Sequence, residues 1–96
     1  MKLVSVKPSD REGKKLVAEF LMDNGRTKHT HFGAVGYTDY TKGASDETRD
    51  HYRARHKKDL QTNDPTKAGF LSYYLLWGDS HNLQTNIASF KRKFHL

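Results

Sequence analysis

The segment from residue 70 to residue 77 constrains the fold more than any other part of this chain. Its side chains are apolar or aromatic on nearly every face of a helix: Phe70, Leu71, Tyr73, Tyr74, Leu75, Leu76 and Trp77. Hydrophobic residues make up only 34% of the 96 residues, so the core must be thin and this segment must supply its centre. Asp64 as N-cap, Pro65 at the first helical position and Gly78 at the end predict a buried central helix.

A β-hairpin is predicted near the N-terminus. Two runs with alternating or branched residues, 15–22 and 27–32, flank the dipeptide Asn24-Gly25. Asn-Gly between two such runs is the strongest local hairpin signal, because a type I′ turn needs positive φ at both central residues. The sequence therefore predicts two antiparallel strands joined by a two-residue loop.

The loop length sets which side chains share a face of the hairpin. With a two-residue loop, Phe20 is opposite His29 and Ala18 is opposite His31. The first of these strands carries apolar residues on that face, so the two histidines are expected on the side that the helices cover. A shift of one residue in the pairing would reverse this expectation.

Three further elements are predicted from local patterns. Branched and apolar residues indicate a first strand over residues 2–7. Ser45 caps a helix that runs from Asp46 to about Leu60 and has few apolar residues. The segment 83–94 carries an apolar stripe at helical spacing and is predicted to be the last helix.

The order of these elements predicts the architecture. Strands come first and helices follow, with no linker long enough to divide the chain. We expect one α+β domain over residues 1–96, in which a small antiparallel three-stranded sheet (residues 1–36) is covered by three C-terminal helices (residues 45–96). The first of these helices should pack at one edge of the sheet.

Composition excludes several classes of protein. The chain has no cysteine, so it has neither a disulfide framework nor a thiolate zinc site. No apolar run approaches 18 residues, and no charged-then-apolar leader is visible. We therefore expect a protein that is not secreted and does not associate with a membrane.

The net charge favours an anionic partner. Seventeen basic residues against eleven acidic ones give a net charge of +6. Residues 1–48 hold eight bases and seven acids, whereas residues 49–96 hold nine bases and four acids. The positive charge is thus concentrated in the second half, as expected for a protein that binds nucleic acid or an acidic protein surface.

The strongest candidate site is the basic segment 49–58, with the sequence RDHYRARHKK. Arg49, Arg53 and Lys57 recur at every fourth residue, so a helix aligns them in one row that spans about 12 Å. A row of that length matches two or three successive phosphates of a nucleic acid. We expect this row to point outward, with the other basic residues of the segment beside it.

A second basic cluster lies near the C-terminus, where positive charge also stabilises the end of a helix. Together the two clusters give the candidate nucleic-acid-binding residues: Arg49, Arg53, Arg55, His56, Lys57, Lys58, Lys91, Arg92 and Lys93. Two other interpretations of these charges stay open, namely a solvated helix face and a docking surface for an acidic protein.

The six histidines invite a metal-site interpretation. His29 and His31 form a His-x-His pair, whereas His51 and His56 are five residues apart and point about 140° apart on a helix. The sequence contains no cysteine nucleophile, no phosphate-cradling glycine loop and no Gly-x-Ser-x-Gly motif. It therefore predicts a non-enzymatic protein with no metal and no cofactor, with a metal-dependent nuclease as the third-ranked alternative.

Residues 37–78 carry three motifs in order: YTDYT, RDHYRARHKKD and NDPTKAGFLSYYLLWG. This series resembles a family of small basic proteins of uncharacterised function that giant nucleocytoplasmic large DNA viruses encode, although Gly43-Ala44-Ser45 departs from the more charged lead-in of that family. The resemblance implies a viral protein found in the virion or the infected host cell. The matching positions are Tyr37, Asp39, Tyr40, Tyr52, Arg55, His56, Lys57, Lys58, Pro65, Thr66, Gly69, Phe70, Ser72, Leu76 and Trp77.

Two functions compete on this basis. The first is non-enzymatic binding to the phosphate backbone of nucleic acid, with DNA favoured, largely without sequence specificity. The second is a minor structural role in the virion or capsid, in which the chain docks on an acidic protein surface.

Overall fold

The computed structural model describes residues 1–96, and its N-terminal part is a single sheet. The strands are β1 (Lys2–Pro8), β2 (Lys14–Leu21) and β3 (Thr27–Ala34). They pair in antiparallel fashion in the order β1-β2-β3. The predicted three-stranded antiparallel sheet, followed by helices in an α+β fold, is confirmed.

The helices follow the sheet in sequence: α1 (Asp46–His56), α2 (Ala68–Leu71) and α3 (Leu83–Phe94). α1 continues into a 3₁₀ helix, Lys57–Thr62, and α2 continues into a π-helical turn, Ser72–Leu76. The bounds of α3 agree with those predicted. None of these helices combines the length and the apolar character that crossing a bilayer requires.

The hairpin loop has three residues, so the predicted two-residue loop is wrong. The carbonyl of Met22 accepts a hydrogen bond from the N–H of Gly25, and the N–H of Met22 donates to the carbonyl of Arg26. Gly25 has a φ of 83°, whereas Asn24 is not in the positive-φ region. This is the three-residue type of hairpin, in which only the last loop residue is left-handed.

The longer loop shifts the register by one residue and exchanges the faces. Ala18, Phe20 and Phe32 lie on one face and are completely buried. His29 is paired with Glu19 and therefore lies on the other face, as its second neighbour His31 also does. The prediction that the two histidines lie under the helices is wrong.

The central helix starts later than predicted. The Asp64 carboxylate accepts hydrogen bonds from the N–H and the hydroxyl of Thr66, which forms a turn around Pro65. The hydrogen bond from the Thr66 hydroxyl lowers the pKa of Asp64. The helix itself begins at Ala68, so the predicted start at Pro65 with Asp64 as its N-cap is wrong.

Twelve apolar residues form one buried cluster between the sheet and the helices. The central helix contributes Leu71, Leu75 and Trp77, as the sequence predicts. α3 contributes Phe90, and α1 contributes no fully buried residue. α1 therefore lies at the margin of the core, where its charged side chains remain close to solvent.

Gly78 ends the central helix at a point where no side chain fits. A Cβ atom there would overlap the carbonyl oxygen of Tyr74 and lie 2.7 Å from the Asn86 side chain. Asn86 is buried and donates to the carbonyls of Leu75 and Ser80, so it cannot move without losing those bonds.

We expect Gly78→Ala to lower the free energy of unfolding by about 1–3 kcal/mol, because the new methyl group overpacks a rigid site. Urea denaturation followed by circular dichroism measures the change. An unchanged midpoint would mean that the backbone at this position relaxes freely.

Candidate nucleic-acid interface

Arg49 and Arg53, which the sequence predicts to point outward, face the body of the protein in α1. The Arg49 guanidinium lies over the Tyr40 ring, 4.5 Å from the centroid, and the Arg49 side chain is only 17% exposed. Arg53 donates from Nε to the carbonyl of Trp77 at 2.8 Å and from Nη2 to Asp79 at 2.9 Å. The prediction that Arg49 and Arg53 point outward is therefore wrong.

The basic residues at the end of α1 are free. Arg55, Lys57 and Lys58 are exposed, and none of them forms an ion pair with a carboxylate. The outward position predicted for Lys57 is confirmed. We call these three residues the α1 cation cluster; Lys57 and Lys58 border one depression, whereas Arg55 lines another.

A cleft of ≈ 510 Å³ opens beside the α1 cation cluster, and Arg55 lines it. Its walls come from the start of β2, the end of β3 and the following loop, α1 and the central helix. Nine of the fifteen positions that carry the family resemblance line this cleft, among them Tyr37, Asp39 and His56. Motifs that are far apart in the sequence thus converge on one concave surface.

Three stacked rings form one wall of the cleft. The Tyr52 ring stacks on His56, with centroids 4.2 Å apart, and on Trp77, with centroids 4.4 Å apart. Burial raises the pKa of the Tyr52 hydroxyl above its ordinary value of 10.0, and the charge of Asp59 adds to the effect. His56 also shares a hydrogen bond with Asp59 at 3.1 Å. The wall is therefore a fixed aromatic surface.

The part of the cleft nearest the sheet carries charge. Lys15 Nζ donates to Asp39 and to the carbonyl of Tyr37, both at 2.6 Å. Asp39 is 1% exposed, so this ion pair fixes the loop after β3 against the sheet. Lys14 and Arg55, in contrast, have no carboxylate partner, and they leave the cleft with a net positive charge.

The second basic cluster forms a separate surface. Lys91, Arg92 and Lys93 are exposed in the last turn of α3, and none of them lines the cleft. Lys93 borders a different depression, which it shares with Arg53, and its Nζ lies 5.9 Å from the centroid of the Tyr74 ring. The predicted binding residues are therefore distributed over separate depressions: Arg55 and His56 line the cleft, Lys57 and Lys58 border a second, and Arg53 and Lys93 line a third.

Several histidines are engaged within the protein. His29 shares a hydrogen bond with Glu19, and His31 shares one with Ser9. His81 bonds to a backbone carbonyl of the short 3₁₀ helix Tyr40–Lys42. No group of three or more His, Asp or Glu side chains is placed to hold a metal ion.

Lys14 and Thr38 also line the cleft, although no local sequence pattern singles them out. Lys14 lies at the start of β2 and pairs with Ala34, the last residue of β3, so the hairpin brings it next to the loop that carries Thr38. The correct hairpin register was the signal that could have found this neighbourhood.

Comparisons with known proteins show the family of the chain. The profile of a family of unknown function (DUF5754) matches residues 4–56, from β1 to the end of α1. An uncharacterized protein of Acanthamoeba polyphaga mimivirus is 39% identical over 80 residues, which cover 77% of this chain and 80% of that protein. No solved structure matches the chain. With the fold and the motifs described above, these similarities show that the chain is a viral protein that belongs to the family of unknown function DUF5754.

Proposed function

We propose that the protein binds the phosphate backbone of nucleic acid through the α1 cation cluster, at the edge of the cleft. The observation that carries the proposal is that Arg55, Lys57 and Lys58 are exposed, close in sequence and unpaired. Like charges in adjacent helical turns repel one another, and an anionic ligand would relieve that repulsion.

The pairing of the basic residues that face the body of the protein supports this assignment. Lys15, Arg49 and Arg53 each lie within ion-pair distance of a carboxylate. Cations that face the body of the protein thus have partners in it, whereas the α1 cation cluster has none. The second basic cluster lies on a different helix, α3, and is outside the proposed site.

The chemistry of the cluster predicts binding without marked sequence preference. Lysine ammonium groups and a guanidinium bind phosphate oxygens, and such contacts position a protein on the backbone but carry no base information. Arg55 is the one planar donor of the cluster, and it can hold a phosphate with two parallel hydrogen bonds.

In this role the protein binds nucleic acid, with DNA favoured, without acting as an enzyme, in the virion or the infected host cell. Membership of a viral family and a net charge of +6 support it. Docking on an acidic capsid protein would draw on the same charge, and a titration with polyglutamate separates the two functions.

A fluorescence-anisotropy titration with labelled duplex DNA between about 50 and 300 mM salt tests the proposal. We expect micromolar or tighter binding at the lowest salt. The logarithm of the affinity should fall against the logarithm of salt with a slope of about −3, because each of three phosphate contacts releases about 0.9 counterion. Absence of binding at the lowest salt, or equal binding of polyglutamate, would contradict the proposal.

A further inference from the structure

The cleft beside the α1 cation cluster has the size of a small-ligand pocket. Its volume of ≈ 510 Å³ lies within the range of about 300–1,000 Å³ that such pockets show. We propose that the cleft binds one unstacked base of single-stranded nucleic acid, an inference that rests on the proposed function. The phosphates on either side of that base contact Arg55 and Lys14. The partner is thereby narrowed from nucleic acid in general to a single strand.

The aromatic lining suits a base. The side chain of Tyr37 is 75% exposed at the cleft, and no other aromatic side chain of the protein stacks on it. The column of Tyr52, His56 and Trp77 lines the same cleft, but Tyr52 lies between the other two rings and Trp77 is buried, so Tyr37 is the ring with a free face. Any base can stack on an exposed ring such as Tyr37, so this lining agrees with binding that does not depend on sequence.

The charges suit the phosphates on either side of that base. Lys14 and Arg55 are both exposed at the cleft and lack a carboxylate partner. Asp39 is the one carboxylate that lines the cleft, and Lys15 already neutralises it. The exposed hydroxyl of Thr38 makes no intramolecular hydrogen bond, so a sugar or base edge can use it. An aromatic surface with cations at its edge is the arrangement that tracks a single strand.

A duplex can place a base in the cleft only if it spends free energy on unpairing and unstacking that base. Every base of a duplex is paired and stacked, and a base must leave the helix before it can enter a concave site. A single strand presents bases that are already unstacked. Phosphate contacts at Lys57 and Lys58 serve both forms, so single strands gain the additional contact in the cleft.

Tyr37→Ala tests the assignment. We expect it to weaken the binding of a labelled single strand by about tenfold, the loss of one stacked base, and to leave duplex binding within about twofold. Lys15 binds the backbone carbonyl of residue 37, which alanine retains, so the loop should keep its place. The control Tyr37→Phe retains the ring and should bind like the unmodified protein.

Trp77 gives a second readout, because it is the only tryptophan and it lines the cleft. We expect its fluorescence to change on titration with the single strand and to stay constant with the duplex. Deoxyadenosine monophosphate should compete only at concentrations far above those of the strand. Competition at equal concentration would overturn the assignment to a strand and make the cleft a site for free nucleotides.

The possible failures are distinguishable. Equal affinity for single strand and duplex, with no effect of Tyr37→Ala, would overturn the base site and leave backbone binding intact. If the unmodified protein shows no salt-dependent binding to either form of nucleic acid, the proposed function itself is contradicted.

Discussion

The double exchange Lys57→Glu and Lys58→Glu is expected to weaken duplex DNA binding by about 100-fold at about 50 mM salt. Each lost phosphate contact removes the release of about 0.9 counterion, which at that salt is worth about a factor of ten. Both side chains are exposed and unpaired, so the exchange breaks no ion pair of the protein. The free energy of unfolding of the protein should change by less than about 1 kcal/mol.

Lys2 and Lys7 in β1 provide a matched control for this variant. They are also exposed and unpaired, and their exchange for glutamate changes the net charge by the same amount. We expect the control to retain affinity within about threefold. An equal loss in both variants would show that affinity follows net charge alone, and an unchanged affinity in the Lys57 and Lys58 variant would remove the cluster from the interface.

Asp39→Ala is expected to lower the free energy of unfolding by about 3 kcal/mol, the low end of the cost of breaking a buried ion pair. The Asp39 side chain is 1% exposed, and its partner Lys15 is 17% exposed. The carboxylate also accepts the N–H of Thr41 at the start of the 3₁₀ helix that follows. The variant therefore leaves the largely buried Lys15 ammonium group without its counter-charge and the N–H of Thr41 without its acceptor. Urea denaturation measures the loss.

Asp50→Ala is the control for that measurement. Asp50 is 66% exposed and contacts Arg49 at 3.4 Å, so its removal should change the stability by less than about 0.5 kcal/mol. A loss of under about 1 kcal/mol for Asp39→Ala would show that water reaches the Lys15 and Asp39 pair, and that the pair does not fix the wall of the cleft.

The hairpin shows how far local sequence signals extend. Asn24-Gly25 suits both a two-residue loop and a three-residue loop in which Gly25 alone has positive φ, so the turn leaves the register open. The two-residue loop divides Phe20 and Phe32 between the faces of the sheet, whereas the three-residue loop buries both. The hydrophobic pattern over the whole hairpin therefore decides the register, and with it the face on which the histidines lie.

The orientation of α1 could also have been predicted. Arg49, Tyr52, Arg53 and His56 follow the spacing of an inward-facing helix stripe, and Tyr52 is its apolar member. A charged row is expected to be exposed, because arginine is seldom buried. Here the guanidinium groups reach a ring and a carbonyl while the aliphatic stems lie along the protein.

The cleft itself could not be predicted from local patterns. Lys14, Tyr37, Tyr52 and Gly69 belong to four separate segments, and only the tertiary fold brings them together. The last helix is the opposite case, because the apolar stripe of residues 83–94 predicts both its bounds and its buried face. Elements with strong periodicity are thus predictable, whereas a site built from the ends of several elements is not.

The central claim is that the α1 cation cluster and the adjoining cleft bind nucleic acid, and its most direct test is to map the bound strand on the protein. Two-dimensional proton–nitrogen correlation spectra, recorded during titration with a short single strand at low salt, follow each backbone amide. We expect the largest shifts at residues 55–58, at Tyr37 and Thr38 and at Gly69, with residues 91–93 nearly unchanged. The largest shifts at residues 91–93, or an even distribution over the surface, would contradict the account.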